Sequence, residues 1–456
     1  MRRVRHIHLV GIGGSGMSGI AEILLSLGYR VSGSDAREGE AVRRLRELGA
    51  AVAIGHMARN LTDADVVVVS SAIGKGNPEV DAARTRGIPV IPRAEMLAEL
   101  GRLKYGIAIA GSHGKTTTTS LVGHVLAKAG LDPTVIIGGR VPAIGSGARP
   151  GQGEFLVAEA DESDGSFLKL APTIAVVTNI DAEHLDHYGS FEALRATFLD
   201  FCRKVPFYGL AVLCLDHPEV AAMIPRVDRR HFTYGFAPGA DFSARDVRAD
   251  GMAMRFTLVR SGRAVGDGLL PMPGAHNVQN ALAALAVAEE LDVPLPDALA
   301  ALAGFGGIDR RFTVRGEARG VLVVDDYGHH PAEIRATLAA ARALGRRLVV
   351  AFQPHRYTRT RDLMSQFARA FSDADAVAVA PIYAAGEEPI PGVSAEHLVD
   401  ALRAAGHPRA SQVARKELAA WLAREARSGD AALTLGAGDV TQVGEELLAL
   451  LRAGSA

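Results

Sequence analysis

The chain alternates short runs of aliphatic and β-branched residues with amphipathic stretches of helical period. In the first hundred residues the apolar runs are His6-Ile7-His8-Leu9-Val10, Arg30-Val31-Ser32-Gly33, Val66-Val67-Val68-Val69 and Ile88-Pro89-Val90-Ile91. Each reads as a strand, and Glu38 to Leu48 reads as a helix between two of them. Strand–helix–strand punctuation predicts a parallel sheet. A second block opens at Tyr105 and runs through Phe155-Leu156-Val157-Ala158 and Ile174-Ala175-Val176-Val177. The more polar interval Phe232 to Leu270 predicts short antiparallel strands, and Ala275 to Leu291 predicts an Ala/Leu-rich helix. A third block begins near Arg310-Arg311-Phe312, with strands at Val321–Val324, Leu348–Ala351, Ala376–Val379 and Ala432–Leu435. The pattern carries no fixed-period repeat and no low-complexity linker.

Composition narrows the class. A chain of 456 residues has room for about three domains. A net charge of −1, from 50 Lys+Arg against 51 Asp+Glu, leaves no electrostatic footprint for nucleic acid. No run of 18 apolar residues is present, so no membrane span is expected. The basic start Met1 to Arg5 leads into an apolar stretch that breaks at Gly11, which reads as a first strand rather than a targeting segment. Cys202 and Cys214 form neither a metal pattern nor a disulfide framework. Buried thiols in a reducing, cytoplasmic compartment are expected.

Gly111-Ser112-His113-Gly114-Lys115-Thr116-Thr117 follows the apolar run Ile107–Ala110 and precedes a helix-like segment. A strand, a glycine turn, Lys-Thr and a helix together cradle nucleotide phosphates, because backbone N–H groups and the helix N-terminus face the anion. The Lys neutralises the terminal phosphate and the Thr hydroxyl binds Mg²⁺. The loop is a short form, since Ile109 stands where the longer pattern requires glycine. A second glycine turn, Gly11-Ile12-Gly13-Gly14-Ser15-Gly16, satisfies G-x-G-x-x-G between a strand and a helix, with Asp35 ending the next strand. Such a turn takes a diphosphate and such an acid takes a ribose, so NAD and a UDP group fit equally. The fold class is therefore α/β with three domains. A Rossmann-like domain over 1–102 precedes a central P-loop ATPase-type domain over 103–308 and a Rossmann-like domain over 309–456.

Four further patches end strands or open helices. Glu159-Ala160-Asp161-Glu162-Ser163-Asp164 clusters carboxylates as a Mg²⁺ site requires. Thr178 to Asp186 adds His184, His276-Asn277-Val278-Gln279-Asn280 presents two amides for an adenine edge, and Asp325-Asp326-Tyr327-Gly328-His329-His330-Pro331 ends a strand in the third block.

With Gly11 to Gly19, Gly111 to Thr117, Glu159 to Asp164, His276 to Asn280, Asp325 to Pro331 and Phe352-Gln353-Pro354-His355-Arg356-Tyr357-Thr358-Arg359-Thr360, the chain resembles the Mur ligase family over essentially its whole length, and its alanine-adding members in particular. Ser112 stands where the family more often has Thr, and the carbamylated Lys of sibling ligases finds no assigned position here. The resemblance implies ATP and Mg²⁺ as cofactors, UDP-N-acetylmuramate and L-alanine as substrates, and a cytoplasmic monomer or homodimer. It implies that Gly11, Gly13, Gly14, Ser15 and Gly16 hold the sugar nucleotide with Asp35, His56, Ser70 and Ser71. Gly111, Ser112, His113, Gly114, Lys115, Thr116 and Thr117 would hold the phosphates. Thr116, Glu159 and His184 would be the metal ligands. Asn277 and Asn280 would read adenine, Arg311 would reach the phosphates and Asp326 the ribose. Tyr327, His329, Arg356 and Arg359 would hold the amino acid. Three alternatives stay open: a tripeptide-recycling ligase of the same family, an NAD-dependent dehydrogenase, and a non-catalytic ATP-binding regulator.

Overall fold

The structure is a computed structural model that describes residues 3–70, 72–137, 148–407 and 409–453. Among these residues the strands form three sheets.

The first sheet has five parallel strands in the order Ala51–Ile54, Arg30–Asp35, His6–Val10, Val66–Val69, Val90–Pro92. Its strands His6–Val10 and Val66–Val69 are buried almost throughout, as in a sheet covered on both faces. Strand order reverses at His6–Val10, which makes its carboxyl end the switch point where open sheets bind ligands. In register, Val10 lies opposite both Ser34 and Val69, so the turns after these strands emerge level. The strand expected from Ile88 begins at Val90, because the Ile88 N–H bonds to Ala83 O and closes the preceding helix.

The second sheet places Tyr105–Ala110 between Ile174–Val177 and Phe155–Glu159, all parallel. Ala110 lies opposite Val177 and Ile109 opposite Glu159. The segments starting at Gly111, Glu159 and Thr178 therefore share one edge. Beyond Leu210–Cys214 and His231–Tyr234 the sheet is extended by Phe242–Asp250, Ala253–Arg260 and Arg263–Leu270. These three strands, joined by two-residue turns, run eight or nine residues and are longer than the short strands expected. The long helix ends at Glu290, one residue earlier than expected.

The third sheet runs Thr313–Ala318, Val321–Asp326, Ala431–Leu435, Leu348–Phe352, Ala376–Val379, Ala410–Gln412, with only the first pair antiparallel.

Packing gathers the chain into two compact units. One comprises 1–246, 256–269 and 278–306, and the other 247–255, 270–277 and 307–456. Within the first, the core of the five-stranded sheet (Leu9, Ile20, Leu24, Val68) continues through Met96 and Leu100 of helix Arg93–Leu103 to Ala108, Val177 and Phe198. Cys202 and Cys214 are buried there, and burial pushes their thiols up to about 12 and about 11. No described helix is long and apolar enough to cross a membrane.

Candidate active site

In the first unit the phosphate loop is shaped by glycine. Gly111 has φ +136°, and a Cβ there would lie 2.0 Å from Thr178 Oγ1. Gly114 has φ +80° and opens helix Lys115–Lys128. A Cβ on it would lie 2.9 Å from Asn280 Oδ1, so Asn280 packs directly on the loop. Only glycine meets both demands at these positions.

The loop is stapled to the neighbouring strand end. Asn179 Oδ1 accepts from the His113 N–H at 2.7 Å, and Asn179 Nδ2 donates to His113 O at 3.0 Å. Ser112 Oγ accepts from the Asp181 N–H at 2.9 Å. Asp181 pairs with His113 at 2.9 Å and with His217 at 3.5 Å. Burial alone would raise the Asp181 carboxyl, but the bonds from His113 and His217 hold it far below the usual carboxylate range.

Lys115 Nζ donates to Gly111 O at 2.5 Å and lies 2.9 Å from Glu162 Oε2. Burial opposes its charge, yet Glu162, with Asp161 and Glu159, raises its pKa. His184 adopts φ 56°, ψ 31° as it opens the short helix Leu185–Tyr188, and its Nε2 lies 3.6 Å from Glu183. The left-handed region is uncommon for a non-glycine residue and costs backbone strain at this position.

At the carboxyl edge of the first sheet, the Gly13 N–H donates to Asp35 Oδ2 at 2.8 Å. That carboxylate, expected to meet a ribose, already shapes the glycine turn. Ser70 caps its own turn through the Ala72 N–H at 3.4 Å, and Ser71 lies outside the described residues. His56 Nδ1 bonds Ser34 Oγ at 2.8 Å, and Ser34 donates to the fully buried Glu79 at 2.5 Å. Burial would raise Glu79, but bonds from His8, Ser34, Asn60 and the Met57 N–H bring it down to about 2. Because Ser34 donates its one hydroxyl proton to Glu79, its Oγ accepts from His56 Nδ1–H.

In the second unit, Arg310 and Arg311 place their guanidinium carbons 5.0 Å and 5.1 Å from the Tyr327 ring centroid. Asp326 is buried, and its carboxylate accepts from the Phe312 N–H, the Gly328 N–H and Thr337 Oγ1 at 2.8, 2.8 and 3.1 Å. Burial raises its pKa despite these bonds. The side chain expected to reach a ribose is thus turned into its own loop. Asn277 likewise donates to Pro273 O at 2.7 Å.

Arg356 has φ 73° at the start of helix Tyr357–Asp362 and pairs with Glu387 at 2.8 Å. Arg359 reaches His355 O at 3.5 Å. His329 packs edge-on to Tyr327 and to His355, and His355 stacks on Tyr383. Burial, then Arg359 and Arg356, push His355 down to about 4, so it is neutral. His329, Arg356 and Arg359, singled out from sequence, thus gather at His355, with Tyr327 reaching it through His329; sequence reading passed over His355 although it stands inside the quoted motif. Asn179, Asp181, Glu162 and Glu387 were also missed as partners.

Comparison with known proteins fits this geometry. The family description "Mur ligase family, catalytic domain" matches residues 6–105, "Mur ligase middle domain" matches 109–288, and "Mur ligase, glutamate ligase domain" matches 310–438. A UDP-N-acetylmuramate–L-alanine ligase of Myxococcus xanthus is 59% identical over 99% of this chain and 96% of its own length. That of Anaeromyxobacter sp. is 60% identical over 99% of both. The crystal structure of the UDP-N-acetylmuramate–alanine ligase of Thermotoga maritima superposes with TM-score 0.82 at 31% identity, covering 98% of this chain and 99% of that one. A murein peptide ligase of Psychrobacter arcticus gives 0.69 at 26%, covering 98% of each.

Proposed function

The chain belongs to the Mur ligase family, and from that premise we propose that it joins L-alanine to the carboxylate of UDP-N-acetylmuramate at the expense of ATP, in peptidoglycan precursor synthesis in the cytoplasm. The observation that carries the reading is a full-length identity of 59–60% to alanine-adding ligases, joined to a glycine loop whose Lys115 pairs with the buried Glu162.

A carboxylate is a poor acyl donor because oxide would have to leave. Transfer of the γ-phosphoryl group of ATP to the lactyl carboxylate creates an acyl phosphate and releases ADP. The alanine amine attacks its carbonyl carbon, and the tetrahedral intermediate collapses to amide and phosphate. Lys115 and the loop N–H groups hold the terminal phosphates and neutralise the charge that develops on them. Thr116 and Glu159 offer hard oxygens of the kind that suits Mg²⁺ and would hold it with His184 as the resemblance implies; the ion would supply positive charge to offset that of the phosphates. Asn280, packed on Gly114, would contact the nucleotide, and the family resemblance implies Asn277 and Arg311 as further ligands; Asp326, hydrogen-bonded into its own loop, is not placed among them. Tyr327, His329, Arg356 and Arg359 hold the alanine carboxylate. Domain boundaries near 102 and 308 follow the same reading.

Phosphate release from ATP, measured across a panel of amino acids, tests the proposal. Release should require both UDP-N-acetylmuramate and L-alanine, with glycine and L-serine weaker because one methyl or hydroxyl discriminates by only about 1–3 kcal/mol. Release independent of the sugar nucleotide would refute it, and micromolar NADH binding would restore the dehydrogenase.

A further inference from the structure

The third glycine of G-x-G-x-x-G ordinarily serves close helix–strand packing. Here it serves something else. Gly16 lies in the first turn of helix Ser15–Ser26, and its φ is not positive, so backbone conformation does not demand glycine there. A Cβ at Gly16 would instead fall 2.5 Å from Arg93 Nη1 and 3.3 Å from Arg93 Cζ. The absent side chain leaves room for a guanidinium.

Arg93 opens helix Arg93–Leu103, directly after the edge strand Val90–Pro92. Its guanidinium lies against the first turn of helix Ser15–Ser26. Its ion pair with Asp161 spans 3.9 Å, too long for a hydrogen bond. Among the described residues its five N–H donors make no hydrogen bond, and the side chain is 31% exposed. Arg86, by contrast, donates to the Leu61 and Thr62 carbonyls.

We infer that Arg93 is a binding residue for the diphosphate of the sugar nucleotide, gripping it against the Gly11–Gly16 turn. The inference rests on the function proposed above and adds a residue to it. A planar fork of donors matches phosphate oxygens in pairs, and the turn's N–H groups supply the opposing donors. The loose contact with Asp161 costs little to surrender when the diphosphate arrives.

UDP alone is the probe, because it carries the diphosphate and lacks the lactyl carboxylate. Calorimetry on the full chain should give a dissociation constant for UDP at least tenfold weaker in Arg93→Ala, with ATP affinity and Tm unchanged, and partial recovery in Arg93→Lys. Gly16→Ala should produce the same defect with the native arginine in place, since the added methyl displaces a flexible guanidinium rather than backbone. Steady-state kinetics should show a raised KM for UDP-N-acetylmuramate with kcat little changed. Equal UDP affinity in wild type and Arg93→Ala overturns the inference. Unchanged UDP affinity with a collapsed kcat would assign Arg93 to the lactyl carboxylate instead, which also overturns it. A wild-type protein that binds neither UDP nor UDP-N-acetylmuramate would sink the proposed function itself.

Discussion

The half-buried Lys115 pairs with Glu162, with Nζ 2.9 Å from Oε2 and the carboxylate almost wholly enclosed. On the proposed function, the cation that would meet the terminal phosphate is stored on a carboxylate until an anion replaces it. Lys115→Ala should lower turnover roughly 10²–10³-fold, as loss of a preorganised charge-stabilising group does. It should also cost about 3–5 kcal/mol of stability, because Glu162 is left buried and unpaired. Adding Glu162→Gln should restore much of the Tm and none of the turnover. Near-normal phosphate release by Lys115→Ala would reduce Gly111 to Thr117 to a simple turn.

Arg356→Ala and Arg359→Ala should raise the KM for L-alanine and leave the KM for ATP nearly intact. Both guanidinium groups belong to the His329–His355–Tyr383 cluster, and Glu387 holds Arg356 by a 2.8 Å ion pair. Kinetics with alanine varied at saturating ATP decide it. Weakened ATP with alanine spared would make these arginines phosphate ligands.

His184→Gly should separate strain from function. Glycine accepts φ 56° without penalty, so the variant should gain stability, at most about 1 kcal/mol. Turnover should fall, and the Mg²⁺ concentration giving half-maximal rate should rise. A variant that keeps the wild-type Mg²⁺ dependence would remove His184 from the metal's ligands.

His276 and His355 are both lowered from 6.5 to about 4, chiefly by burial. Between those values the unfolded chain binds more protons than the folded one, so stability falls as pH drops from about 6.5 towards 4. Glu79, lowered from 4.5 to about 2, extends the loss below that window. Thermal melts from pH 7.5 to 4.5 should show a falling Tm, and His355→Gln should flatten the slope above pH 4.5. An unchanged slope would mean that His355 is charged in the folded protein.

Sequence spoke clearly where an element carries its own signal. Val66–Val69 and Ala376–Val379 were bounded as they stand, because central strands of parallel sheets are apolar throughout. Ala51–Ile54, Thr313–Ala318 and Ala410–Gln412 escaped notice because edge strands are half-exposed and mixed in composition. The glycine loops were legible as turns. Their fasteners were not, since Asn179 against His113 and Arg93 against Gly16 are set by register between segments 66 and 77 residues apart. Nor does a motif reveal which way a side chain turns, and Asp326 hydrogen-bonds into its own loop although its position in the motif suggested an outward reach.

The two buried cysteines bear on how this protein is handled in the laboratory. A thiol held near 11 or 12 supplies almost no thiolate at neutral pH, and neither Cys202 nor Cys214 is open to a reagent in the folded chain. The native sequence is thus its own cysteine-free background. A cysteine introduced on the surface of either compact unit would be the sole position to take a maleimide dye or a spin label, with no core residue replaced beforehand.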